Sequence, residues 1–288
     1  MRDQTRGVRI TRASITTIVL SLVFLGARPT AGQEPAYRAP RLAGTSNPNL
    51  SGLWQAMNTA NWDIQAHGAR ESPFPRLLGV YLAQPAGEGV VEGNEIPYRP
   101  EALAKRKANF ERRLEVDPQR LHEVGDPEAK CYMPGVPRAT YMPHPFQVIQ
   151  STTKIIIAYA PNSASRTISL GSTREAPVDG WMGWSNGRWE GETLVVDVTG
   201  MNGLTWFDRA GNFASENVHI VERYTPMSPH HLMYEATIED DTVFTRPWKM
   251  SMPLYRRMEK NAQFLEFKCV DLAEEYIYSS LAKKPAGR

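Results

Sequence analysis

The sequence predicts a mainly β protein: an antiparallel β-barrel or barrel-like sandwich over residues 138–270, wrapped by a loop-rich extension that holds one helix. Three observations carry this. Leu194, Val196 and Val198 alternate with Thr193, Val195 and Asp197, the two-residue period of a strand. Short turns join consecutive strand-like runs, as at Glu190-Gly191-Glu192, where a glycine suits a tight turn. No helical segment separates these runs, so neighbours in sequence are expected to pair antiparallel. About eight to ten strands in one chain curl into a barrel or split into two layers rather than stay flat.

Taken in order, residues 1–32 read as a secretory signal peptide. Arg2, Arg6, Arg9 and Arg12 precede the apolar run Ile15–Leu25, which is short for a membrane span, and Thr30-Ala31-Gly32 offers a cleavage site. The expected destination is the periplasm or the exterior, with no stable membrane span after cleavage. Residues 33–137 form the wrapping extension. It holds a turn at Asn47-Pro48-Asn49, a strand-like Ser51–Gln55, irregular loops over 57–98 and a helix over Glu101–Val116 that opens on Pro100. Leu103, Phe110 and Leu114 mark one face of that helix. Its basic residues alternate with glutamates as a solvated face.

The proline-punctuated loop Pro134–Pro145 leads into the strands. These are expected at Phe146–Gln150, Lys154–Tyr159, Arg166–Leu170, Trp184–Trp189, Thr193–Thr199, Val218–Thr225, Leu232–Glu239, Thr242–Met252 and Phe264–Cys269. Pro247 places the run Thr242–Met252 at an edge or a bulge. Residues 271–288 read as a C-terminal helix and tail, with Asp271 as its N-cap.

Composition bounds the function. Hydrophobic residues at 41% allow a sizeable core, and a net charge of +2 without a basic face gives no reason to expect nucleic acid as partner. Cys131 and Cys269 are the only two cysteines, and in an oxidising compartment they are expected to pair. No zinc, calcium, P-loop or dinucleotide motif is present, so no metal or cofactor is expected. His219 and Glu222 lie three apart on a strand and face opposite sides, which argues against chelation of one ion.

The loop Gly200–Asn217 is the leading site candidate, because loops of this length inside compact domains are uncommon and tend to be functional. It sets aromatic residues beside polar ones, the mixture of a small-molecule pocket. Trp181, Trp184, Trp206 and Trp248 would supply contact area, and Arg246 would hold an anionic group. Asp208 and His219 would form an acid/base pair if both point inward. The plainer reading has Trp206 and Phe213 plugging one end of the barrel. The expected function is binding of a small, partly apolar ligand that can carry an anionic group. The rivals are a hydrolase, lyase or isomerase using Asp208 and His219, and a structural or partner-binding envelope protein. Oligomeric state is not legible.

Several blocks resemble a family of exported bacterial β-rich proteins: NPNLSGLWQ at 47–55, CYMPGVPR at 131–138, PHPFQVIQ at 143–150, GWMGWSNGRWEGETLVVDVTGMN at 180–202, HIVERY at 219–224 and TIEDDTVFTRPW at 237–248. The resemblance implies export and a β-rich domain, and it brings no catalytic residues. A fainter similarity is to lipocalin-like barrels. Gly52-Leu53-Trp54 resembles the G-x-W that begins such barrels, and it implies that Arg256 or Arg257 stacks on that tryptophan.

Overall fold

The computed structural model describes residues 37–72, 83–115 and 124–269. Nine strands close into one barrel in chain order: β1 (Gly52–Ala56), β2 (Phe146–Gln150), β3 (Lys154–Tyr159), β4 (Ser165–Leu170), β5 (Trp184–Glu190), β6 (Thr193–Thr199), β7 (His219–Ser228), β8 (His231–Glu239) and β9 (Trp248–Arg256). The mainly β barrel expected from the alternation is therefore present. The segments 1–32 and 271–288 lie outside the described residues.

Closure depends on β1. Trp54 pairs with Phe146 of β2 on one side and with Arg256 of β9 on the other. The barrel therefore begins at residue 52 rather than 138, because the strand-like run expected at Ser51–Gln55 within the wrapping extension belongs to the ring. The predicted last strand, Phe264–Cys269, is a correction of the same kind. β9 already closes the ring, and Phe267 makes only an isolated bridge to Pro161.

Two further expectations change. The all-antiparallel meander is broken where β4 and β5 pair parallel, through Ile168↔Ser185 and Leu170↔Gly187. The connection over 171–183 supplies the dozen or so residues such a crossover needs. The run Thr242–Met252 is not one strand. Val243 and Phe244 turn back onto the Asp240 carbonyl, and β9 starts at Trp248, directly after Pro247. The prolines inside strands sit where one neighbour has ended. Pro226 lies beyond the last β6 partner, Tyr224, and Pro253 lies beyond the last β1 partner, Leu254. The missing proline N–H has least consequence at such edges.

Alternation then sorts the side chains. On β7, Ile220, Glu222 and Tyr224 are buried, whereas His219, Val221 and Arg223 are part-exposed. Inward rows from β3, β6, β8 and β9, including Ile155, Ile157, Leu194, Val198, Tyr234, Met250 and Leu254, fill one continuous core. Among the described residues two α-helices accompany the barrel, α1 (Pro100–Glu111) and α2 (Arg138–Tyr141). α1 ends five residues before the predicted Val116, and its predicted apolar face is not a core face. Leu103 and Leu114 are exposed, and of its residues only Ala102 is buried. α2 is buried throughout. The Sγ atoms of Cys131 and Cys269 are 2.07 Å apart, at disulfide distance, with Cα atoms 5.5 Å apart.

Candidate functional site

The predicted site is closed. The loop between β6 and β7 folds back on itself through a Trp206–Phe213 bridge, and Trp206, Phe207 and Phe213 join the same core as the strands. Trp248 stands edge-on between Phe207 and Phe244, with ring centroids 5.6 and 5.5 Å away. Aromatic rings that were expected to line a pocket thus plug the barrel end instead.

Asp208 is the hub of this plug. It is fully buried. Its Oδ1 accepts the N–H groups of Ala210 (2.9 Å) and Asn212 (3.1 Å), and its Oδ2 accepts the N–H of Ile64 (2.9 Å) and the Asn212 side-chain amide (2.6 Å). Burial, and then the Asp63 carboxylate, push its pKa up to about 7, against the pull of these donors. All of these partners are structural. The carboxyl holds the loop against the Asp63–Ile64 segment.

His219 lies elsewhere. Its side chain is 37% exposed on the outer face of β7, with Nδ1 3.2 Å from Glu239 and Nε2 3.3 Å from Asp197. Asp208 and His219 share no hydrogen bond or ion pair, so the pairing expected of an acid/base enzyme is corrected. Strand alternation turns His219 outward, while the loop turns Asp208 inward. Arg246 is also corrected. It is exposed in the turn before β9, and its Nη1 donates only to the Pro247 carbonyl at 3.4 Å. Trp181 stacks on Tyr132 at 4.8 Å, and Trp184 is half-buried at the start of β5. These residues do not converge on one pocket.

Two buried ionic clusters were not read from the sequence. Inside the barrel, Arg166 of β4 forks onto Glu222 of β7, through Nη1–Oε2 at 2.6 Å and Nη2–Oε1 at 3.0 Å. The Tyr224 and Tyr234 hydroxyls donate to the same Oε1 at 3.0 and 2.8 Å. Burial, then the Glu222 charge, raise both phenols well above their ordinary range. At α2, Arg138 forks onto Asp126 at 2.8 Å, reaches Glu128 at 3.3 Å and donates to Asn61 at 2.9 Å. The only signal in the sequence was a charged residue at an inward position of a strand, as at Glu222.

A real concavity lies at the other end of β7, by the β7–β8 turn. It encloses about 340 Å3 and is lined by Tyr37, Leu50, Trp54, Pro226, Pro229 and Leu232, with Arg256 on one wall. The Arg256 guanidinium lies 4.2 Å over the Trp54 ring, and the Trp54 Nε1 donates to the Leu50 carbonyl at 2.9 Å. Of the two arginines the G-x-W pattern allowed, Arg256 is the one that stacks. Gly52 makes the stack possible: a Cβ there would lie 2.2 Å from Arg256 Nη1, and its φ of +148° suits glycine. The likeness to lipocalins is local, because those barrels are eight-stranded and up-and-down.

No family model, curated protein or solved structure matches the chain. Among the described residues, no group of three or more His, Cys, Asp or Glu side chains is placed to hold a metal ion, and no helix is long and apolar enough to cross a membrane.

Proposed function

We propose that this protein is an exported barrel that binds a small, partly apolar molecule, and that its site is the cavity over Trp54 rather than the plugged end. One observation carries the reading. The cavity of about 340 Å3 combines apolar and aromatic walls with a few convergent polar groups. That size and mixture match small-molecule sites, which run from roughly 300 to 1,000 Å3. Leu50, Trp54 and Leu232 are almost fully buried and form a firm floor, so little ordering remains to oppose binding. Export rests on residues 1–32 and belongs to the same proposal.

The test is a fluorescence titration with N-phenyl-1-naphthylamine, a neutral apolar dye. Wild type should show saturable enhancement. Ser228→Trp, which fills the cavity, should abolish it, and Trp206→Phe in the plug should leave it unchanged. Enhancement that is equal in all three proteins, or absent from wild type, refutes the assignment.

A further inference from the structure

The cavity holds an arginine, Arg256, that no carboxylate among the described residues neutralises. Arg256 donates through Nε to the Pro229 carbonyl at 3.0 Å and through Nη1 to the Ser51 carbonyl at 2.9 Å. Both acceptors are neutral. Its face is taken by Trp54, and no carboxylate lies within ion-pairing distance of it among the described residues. The Nη2 hydrogens and the second hydrogen on Nη1 have no protein acceptor among the described residues.

The two fully buried arginines are each paired with a carboxylate. Arg166 is paired with Glu222, and Arg138 with Asp126 and Glu128. A half-buried guanidinium without a counter-charge bears a desolvation cost that an anion would offset. Burial lowers the pKa of Arg256, and the nearby Tyr37 opposes it. The guanidinium is also held in place. Two carbonyls fix its plane, Trp54 backs it, and Gly52 leaves it room. A planar fork fixed in advance loses little entropy when it meets an oxyanion.

We propose that the cavity recognises an amphiphile with a carboxylate or sulfonate head, the head seated on the free edge of Arg256 and the apolar body against the accessible Tyr37, Pro40 and Pro229. This rests on the small-molecule-binding reading above. Arg256 thus takes the role that the sequence had assigned to Arg246.

The experiment compares 1-anilinonaphthalene-8-sulfonate, which is anionic, with neutral N-phenyl-1-naphthylamine, on wild type and Arg256→Gln. The anionic dye should bind the variant about tenfold or more weakly, as expected for loss of a charged hydrogen-bonded contact. The neutral dye should bind both proteins within about twofold. Because Arg256 also helps to close the barrel, a second measurement uses wild type alone. Decanoate should displace the dye at concentrations about tenfold lower than decanol does. Equal displacement by decanoate and decanol, or an anionic dye indifferent to Arg256→Gln, overturns anion recognition while the binding site stands. Failure of both dyes to bind wild type overturns the site itself and this inference with it.

Discussion

Replacing Glu222 with leucine is expected to remove most of the protein's stability, and the structure shows why. Glu222 is fully buried, and its two oxygens accept from both Arg166 Nη atoms, Tyr224 and Tyr234. Its loss leaves the Arg166 charge in the barrel interior with a side chain only 2% exposed. Breaking a buried pair in this way costs about 3–5 kcal/mol. The Tyr234 hydroxyl also loses its acceptor, at about 1–3 kcal/mol. The sum, about 4–8 kcal/mol, compares with a typical domain stability of about 5–15 kcal/mol. Arg166→Met combined with Glu222→Leu removes both charges, and replacement of a buried pair by apolar residues is often close to neutral. The double variant should therefore be more stable than Glu222→Leu alone by at least about 2 kcal/mol. Urea unfolding followed by tryptophan fluorescence reads this directly, with a midpoint shift of more than about 1 M for the single variant. A single variant that costs less than about 1 kcal/mol, or a double variant equal to the sum of the two singles, would refute the reasoning.

Three further outcomes are expected. Converting Cys131 and Cys269 to serine opens a loop with a sequence separation of 138 residues and should cost about 5 kcal/mol in the chain-entropy model; non-reducing peptide mapping checks the link, and two free thiols in folded protein would exclude it. Asp208 rises from an ordinary 3.8 to about 7, so between those values the folded state keeps a proton that the unfolded chain has released. The contribution of Asp208 to stability should therefore be greatest below about pH 4 and decline as pH rises toward about 7, and Asp208→Asn should remove that component of the profile in urea titrations across pH. Gly52→Ala should lower stability by about 1–3 kcal/mol, because its Cβ meets Arg256 at 2.2 Å, and an unchanged thermal midpoint would show that the stack does not depend on the glycine.

Much of the barrel was legible because strand alternation is a local property. The faces of β7 followed from counting by twos, and that count already placed Glu222 with Ile220 and Tyr224 and set His219 on the other side. The cysteine pair was legible because a chain with two cysteines has only one internal pairing available. The rings expected to line a pocket are packed instead, for a physical reason. Trp206, Phe213 and Trp248 have the composition of a pocket wall, but composition does not separate rings that line a space from rings that fill it. Asp208 read as a catalytic acid because three of its four partners are backbone groups, and these leave no trace in a sequence.

By itself, then, the sequence determined the strand class, most strand positions, the inward and outward rows and the two ends of the disulfide. These depend on residue period and on counts within one segment. The tertiary structure alone decided that Gly52–Ala56 closes the ring against β9, that β4 and β5 run parallel, that Arg166 meets Glu222 and that Arg256 faces a cavity without a counter-charge. Apart from the β4–β5 crossover, each joins residues far apart in the chain. Such pairings are set by how the closed ring brings distant strands into contact, a constraint that acts on the whole barrel and on no single segment of it.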